Sequence, residues 1–345
     1  MSAPEPRANA LLLGQEPAEA VLLEALCSGR MHHAWLITGP EGVGKATLAF
    51  RFARRLLAGR IDAATDSLAV PAKHPVFRRV AAESHADLLT VEREYDPKRK
   101  RMKTLIAVDD VRDIPKFMAL TPAEDGWRVV IIDGAEDMSP SSANALLKVL
   151  EEPPSRAVLL LVCGAPGRLL PTIRSRCRRL QLAALDDSVM DKLLDTYLPQ
   201  MPPDERHRLI TLAEGSVGRA LLLAEEHGLA LATLVDEVLA AGPNLKMSRA
   251  YELADTITRA DGAFSTFMDL LRAAITVAVR DTVRGRADPD QSRLIATRPL
   301  EAWGEVWDAL TRLQDETERF NLDKRQAIVA GLGMFGQQSN RVTPS

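Results

Sequence analysis

One short stretch constrains this 345-residue chain more than any other. Gly39-Pro40-Glu41-Gly42-Val43-Gly44-Lys45 fits the pattern G-x-x-x-x-G-K. An apolar run, Ala34-Trp35-Leu36-Ile37-Thr38, leads into it, and an amphipathic stretch from Thr47 to Leu57 leads out. That is the context in which the pattern has a physical meaning: a buried strand ends where a helix begins. The glycines let backbone N–H groups turn inward around phosphate oxygens. The helix N-terminus adds its dipole, and the lysine adds a point charge. Gly39, Gly42, Gly44 and Lys45 are therefore candidate ligands of a nucleotide phosphate chain, with Thr47 beside them. The residue after the lysine should carry a hydroxyl for Mg²⁺, and here it is Ala46. Thr47 stands about 100° further round the helix and does not replace it directly.

Strand and helix signals alternate over residues 34–182, which implies a parallel α/β sheet. Leu88–Val91, Arg128–Asp133 and Val158–Val162 read as further strands. Val108–Leu120 reads as one helix. Ser139-Pro140 opens another with an N-cap serine and a proline at the first position, and Pro153-Pro154 stops it. On the helix after the phosphate loop, Leu48, Phe52 and Leu56 form an apolar face, with Arg51, Arg54 and Arg55 on the polar one. After residue 183 the strand signal disappears. Residues 186–230 and 246–336 read as helices, with Gly242-Pro243 as a linker. The expected division is a core over 1–183, a small helical part over 184–240 and a helical domain over 241–338. Residues 1–8 and 337–345 are expected to fray.

Composition narrows the class. The net charge of −3 is not that of a free-standing nucleic-acid binder, so any such contact should be local or shared with partners. The basic turn around Lys98, Arg99, Lys100, Arg101 and Lys103 is read as solvated before it is read as a DNA contact. Three scattered cysteines, Cys27, Cys163 and Cys177, exclude a disulfide framework and a four-cysteine zinc site, and fit a reducing cytoplasm. His74 and His85 read as surface or capping residues, so no metal site is expected. No secretory signal and no membrane span is read from the sequence.

Val129-Val130-Ile131-Ile132-Asp133 has the form of a strand that delivers a metal-holding carboxylate, Asp133, to a nucleotide site. The next residue is Gly134, where a hydrolase needs a glutamate to polarise water. Glu136 and Asp137 are out of register and read as loop and helix-start charges. Ala46 and Gly134 both argue against hydrolysis.

Four segments appear in order: His33-Ala34-Trp35-Leu36-Ile37-Thr38-Gly39-Pro40, Leu120-Thr121-Pro122-Ala123-Glu124, the run from Asn144-Ala145-Leu146-Leu147-Lys148 to Glu151-Glu152-Pro153-Pro154, and Ser175-Arg176-Cys177. In combination they resemble bacterial clamp-loader subunits, AAA+ proteins that open the sliding clamp and place it on primed DNA. The resemblance covers about residues 30–235. It implies an AAA+ phosphate-loop core with a parallel sheet, a helical lid and an all-α collar. It also implies a hetero-pentamer with delta and tau/gamma subunits, meeting clamp and DNA through the assembly. Arg176 would be an arginine finger donated to a neighbour's ATP. From its charges alone, the cluster Arg174, Arg176, Arg178 and Arg179 reads as a solvated basic strand edge. Arg219, in Gly215-Ser216-Val217-Gly218-Arg219, would approach the subunit's own nucleotide, and Cys163-Gly164 would stand where active members carry a hydroxyl. The degraded motifs, and the Ile106-x-Val108-Asp109-Asp110-Val111-Arg112 element, match the branch without motor activity. ATP or ADP is left open as an occupant, Mg²⁺ would be poorly held, and the zinc module of many members is lost. The chain has no polymerase motif, so it reads as an accessory subunit of a polymerase. An ATP-hydrolysing tau/gamma-type motor is the alternative. A P-loop phosphotransferase is the more distant one, since no acceptor pocket or catalytic base is found.

Overall fold

A computed structural model describes residues 4–59, 67–96, 101–124, 126–260 and 262–336. The chain divides into two units, Met1–Leu221 and Leu222–Ser345.

In the first unit the elements are α1 (Glu16–Cys27), β1 (Ala34–Thr38), α2 (Lys45–Leu57), α3 (Pro75–Ala81), β2 (Leu88–Val91), the two-residue hairpin strands β3 (Tyr95–Asp96) and β4 (Arg101–Met102), α4 (Val108–Arg112), α5 (Ile114–Ala119), β5 (Arg128–Asp133), α6 (Pro140–Glu151), β6 (Ala157–Cys163), α7 (Pro171–Arg174) and β7 (Arg178–Gln181). Five strands form one parallel sheet in the order β2-β5-β6-β1-β7. Alternate residues of each strand feed opposite faces. Trp35, Ile37, Val129, Ile131, Val158 and Leu160 pack with the apolar faces of α1, α2 and α3. Leu36, Val130, Ile132, Leu159 and Leu161 pack with α4 to α7 on the other side. Burial on both faces explains why β1, β5 and β6 read as continuous apolar runs. The edge strand β7 buries only Leu180, and its Arg178 lies over the Trp35 ring at 4.9 Å. The basic strand-edge reading therefore holds for Arg178 and Arg179.

Three expectations need correction. Val108–Leu120 is two helices, not one. Pro115 has no N–H to give Val111, and its ring crowds that carbonyl, so the chain breaks at Asp113. Arg54 and Arg55 are buried, although they fall on the polar face of α2. Arg54 is 1% exposed and donates to the carbonyls of Arg7 and Asn9, both at 2.8 Å, with its guanidinium 4.5 Å from the Phe77 ring centroid. Burial pulls it down to about 10, still well above neutral pH. Residues 4–8 are accordingly not frayed: Pro6–Ala8 form a short 3₁₀ turn, and Arg7 pairs with Glu5, Glu83 and Glu92. Residues 97–100 of the basic turn and the expected frayed end at 337–345 lie outside the described residues.

Helix ends follow their sequence signals. Ser139 accepts the backbone N–H of Ser142, and α6 stops before Pro153-Pro154. His74 caps α3 by accepting the Val76 N–H, and His85 accepts the Asp87 N–H in the same way. Asp87 is the centre of a buried polar knot. It accepts the Ala123 N–H on both oxygens and lies 3.4 Å from Arg128, which donates to the carbonyls of Leu120 and Thr121. The Leu120–Glu124 segment is thus fastened to β2 and β5 by charge.

Beyond β7 the first unit continues through α8 (Asp187–Tyr197) and α9 (Pro203–Ala213), and α10 (Val217–Glu225) crosses the division. The second unit contains α11 (Gly228–Ala241), α12 (Met247–Ile257), α13 (Ala263–Val283), α14 (Pro289–Ile295), α15 (Leu300–Phe320) and α16 (Lys324–Gly336). The two 21-residue helices α13 and α15 pack together around Phe267, Leu271 and Leu310. Among the described residues there is no strand after Gln181, as expected from the sequence.

Asp87→Ala would leave the buried Arg128 guanidinium without its counter-charge. The purified chain should lose about 3–5 kcal/mol in a urea unfolding series, and Asp87→Asn should lose less.

Candidate nucleotide-phosphate site

The phosphate loop turns from β1 into α2 through residues that need left-handed backbone. Gly42 has φ +71° and Gly44 φ +100°, conformations a side chain would strain. The loop is held from several directions. Gly218, at the start of α10, donates its N–H to the Gly42 carbonyl at 3.0 Å. A Cβ on Gly218 would lie 2.8 Å from Gly42 Cα, so the two backbones touch. Gln15 donates to the Val43 carbonyl at 3.3 Å and to Ala183 at 3.0 Å. Lys45 Nζ folds back onto its own loop, donating to Gly39 O at 3.0 Å and Pro40 O at 2.7 Å.

A cavity of about 340 Å³ opens beside this loop. Gly42, Gly44, Lys45, Thr47 and Asp133 line it, so five of the expected residues come together. Ala46 also lines it, and it brings no hydroxyl. Pro4, Pro6, Asn9 and Tyr197 line it as well. Sequence reasoning missed these four. Their only signal would have been Arg54, whose burial ties the N-terminal segment down. Asn9 is fixed by donating to the Tyr197 hydroxyl at 3.1 Å and accepting the Leu11 N–H at 2.9 Å. Arg219 does not line the cavity. Its N–H bonds Ser216 Oγ at 3.1 Å, and its guanidinium lies 3.8 Å from Glu214. Gly39 contributes through its carbonyl, which receives Lys45.

Burial pulls the Lys45 ammonium below its ordinary range, against the opposing pull of Glu136, Glu41 and Asp133. Asp133 is pushed up, chiefly by burial and then by the nearby Glu92 charge. With no hydroxyl at residue 46, the metal-holding half lacks one of its two protein ligands and keeps only Asp133. The glycine cradle fits an anion, whereas the metal-holding and water-activating half does not fit.

Glu136 has a use that its reading as a loop charge did not foresee. Its Oε1 accepts the N–H of Gly164 at 2.6 Å and of Ala165 at 3.1 Å. It ties the turn after β5 to the turn after β6, where Cys163 ends its strand. Burial first, and the Glu136 charge second, push the Cys163 thiol up to about 12. Burial alone does the same to Cys177.

Arg176 lies at the other rim of the sheet. It precedes β7, whose first residue, Arg178, is level with Trp35 near the start of β1. The strand rise of about 3.3 Å per residue puts roughly 13 Å between the levels of Trp35 and Gly39 alone. Arg176 is partly exposed, donating to Thr172 O at 3.0 Å and to Glu151 at 2.8 Å. It does not reach the phosphate loop of its own chain.

A family model described as DNA polymerase III, delta subunit, matches residues 14–186. The DNA polymerase III subunit delta' of Pseudomonas aeruginosa is 38% identical over 184 residues, 53% of this chain and 53% of that protein. The DNA polymerase III subunit tau of Escherichia coli is 33% identical over 226 residues, 64% of this chain and 33% of that protein. The chain therefore spans between a third and about half of the length of these two relatives. A solved gamma-subunit-related protein of DNA polymerase III from Thermotoga maritima is 19% identical, covering 92% of this chain and 99% of that one, with a TM-score of 0.44.

Thiol chemistry checks the electrostatics of the sheet ends. Cys163 and Cys177 should stay protonated and protected at pH 8, while the exposed Cys27 is alkylated. Mass spectrometry after iodoacetamide treatment should find one modified thiol in the folded chain and three after denaturation.

Proposed function

Because the chain belongs to the DNA polymerase III delta-subunit family, we propose that it is a delta-prime-type clamp-loader subunit that supplies Arg176 to an ATP site on a neighbouring chain. The observation that carries this reading is the position of Arg176. It stands half-exposed at the rim opposite its own phosphate loop, which supports a role in trans and not at its own nucleotide. There it would neutralise charge developing on a γ-phosphate. The delta and tau/gamma subunits would be its partners in a hetero-pentamer, and sliding clamp and primed DNA would be met through that assembly in the cytoplasm. No helix among the described residues is long and apolar enough to cross a membrane. Residues 1–183 would serve as the AAA+ core, 184–240 as the lid and 241–338 as the collar. The subunit's own site would hold ATP or ADP, if at all, through the glycine cradle and Lys45, without help from Mg²⁺ or Arg219. The identity to tau favours a motor reading on sequence alone. Ala46 and Gly134 speak against it.

Two measurements test this. In a complex reconstituted with its partner subunits, Arg176→Ala should slow DNA-stimulated ATP hydrolysis at the site it serves, where an arginine finger supplies a factor of about 10³–10⁵. An unchanged rate would remove the proposal. The isolated chain should not turn over ATP, and calorimetry should give the same nucleotide affinity with and without Mg²⁺. Turnover that disappears in Lys45→Ala would establish the motor instead.

A further inference from the structure

We infer that Glu151 is a positioning residue for Arg176, holding its guanidinium in the direction needed to meet the neighbouring chain's nucleotide; this rests on the trans role of Arg176 proposed above. Four arginines crowd the start of β7, and their surroundings differ. Arg174 donates to the Pro166 carbonyl, Arg178 lies over Trp35, and Arg179 donates to Thr38 Oγ1 at 3.4 Å. Among the described residues Arg176 is the one of the four with a carboxylate partner, Glu151 Oε1 at 2.8 Å from its Nη2.

Both side chains stand on fixed backbone. Glu151 is the last residue of α6, which is capped by Ser139 at its start and stopped by Pro153-Pro154. Leu146 and Leu150 of that helix and Ile173 of α7 share one buried cluster, with Cys177 packed against it. The Thr172 carbonyl receives both Ser175 Oγ at 3.1 Å and Arg176 Nη1 at 3.0 Å. The residues of the Ser-Arg-Cys triplet thus divide the work: Ser175 closes the turn, Cys177 anchors it, and Arg176 projects.

The geometry leaves the guanidinium available. It has five N–H donors. One goes to Thr172 and one to a single oxygen of Glu151, end-on rather than as a two-pronged clasp. The other three meet no acceptor among the described residues. A charge-assisted bond from the side restrains the planar group while its remaining donors stay uncommitted. Such a residue lowers the cost of ordering a long side chain at the moment of transition-state contact, so its loss should appear in kcat and not in substrate affinity.

The test uses the reconstituted complex with Glu151→Gln, Arg176→Ala and the double variant. Glu151→Gln keeps shape and one acceptor oxygen, and the melting temperature of the chain should not move. The kcat for ATP hydrolysis should fall about fivefold with KM for ATP unchanged, and the double variant should be no slower than Arg176→Ala. Normal or faster hydrolysis by Glu151→Gln, or losses that multiply in the double variant, would overturn the role of Glu151 while a slow Arg176→Ala keeps the finger. Unchanged hydrolysis by Arg176→Ala would instead overturn the finger, and the Glu151 inference with it.

Discussion

All five strands of the sheet run the same way, and this single polarity decides what each segment can do. Every strand C-terminus opens on one rim, where the phosphate loop, Asp133 and Cys163 gather. Every N-terminus opens on the other, where the turn that carries Arg176 enters β7. Burial of both faces enforces the polarity, because parallel strands need crossover helices and those helices cover the sheet. The chemical separation is therefore a consequence of apolar packing. A guanidinium placed before β7 is removed from its own nucleotide site by the length of a strand, whatever its side-chain conformation.

The same constraint explains how a phosphate loop can lose its metal half and keep its shape. Gly42 and Gly44 adopt left-handed backbone for geometric reasons that hold without a ligand. Gly218 packs on Gly42 and bonds its carbonyl, and Gln15 spans Val43 and Ala183. The loop thus serves as a joint between the sheet and the helices that follow it. A loop used in this way retains its glycines for backbone packing even where the hydroxyl after Lys45 and the glutamate after Asp133 are absent.

Legibility in the sequence followed burial. Strands enclosed on both faces, β1, β5 and β6, announce themselves as apolar runs, and helix α6 carries its cap and its stop in plain residues. The cavity lining contributed by Gly42, Gly44, Lys45 and Asp133 was legible because spacing alone places those residues at strand ends. Contacts made across long separations were not. Arg54 and Arg55 obey the helical period and still lie buried, because the segment at Arg7 and Asn9 covers them. No periodicity on α2 encodes a cover more than forty residues away. Tyr197 reaches the cavity for the same kind of reason, through Asn9.

Glu136 shows how position and partner, more than residue type, decide a carboxylate's use. It stands two residues past Gly134, in the turn after β5, close enough to influence Lys45 and Asp133. An acid there invites a catalytic reading. Yet its Oε1 is already committed to two backbone N–H groups at the end of β6, which holds the carboxylate against that turn. The same carboxylate raises the Cys163 thiol. Its negative charge thus serves to tie two neighbouring strand ends together, through the turns that follow β5 and β6.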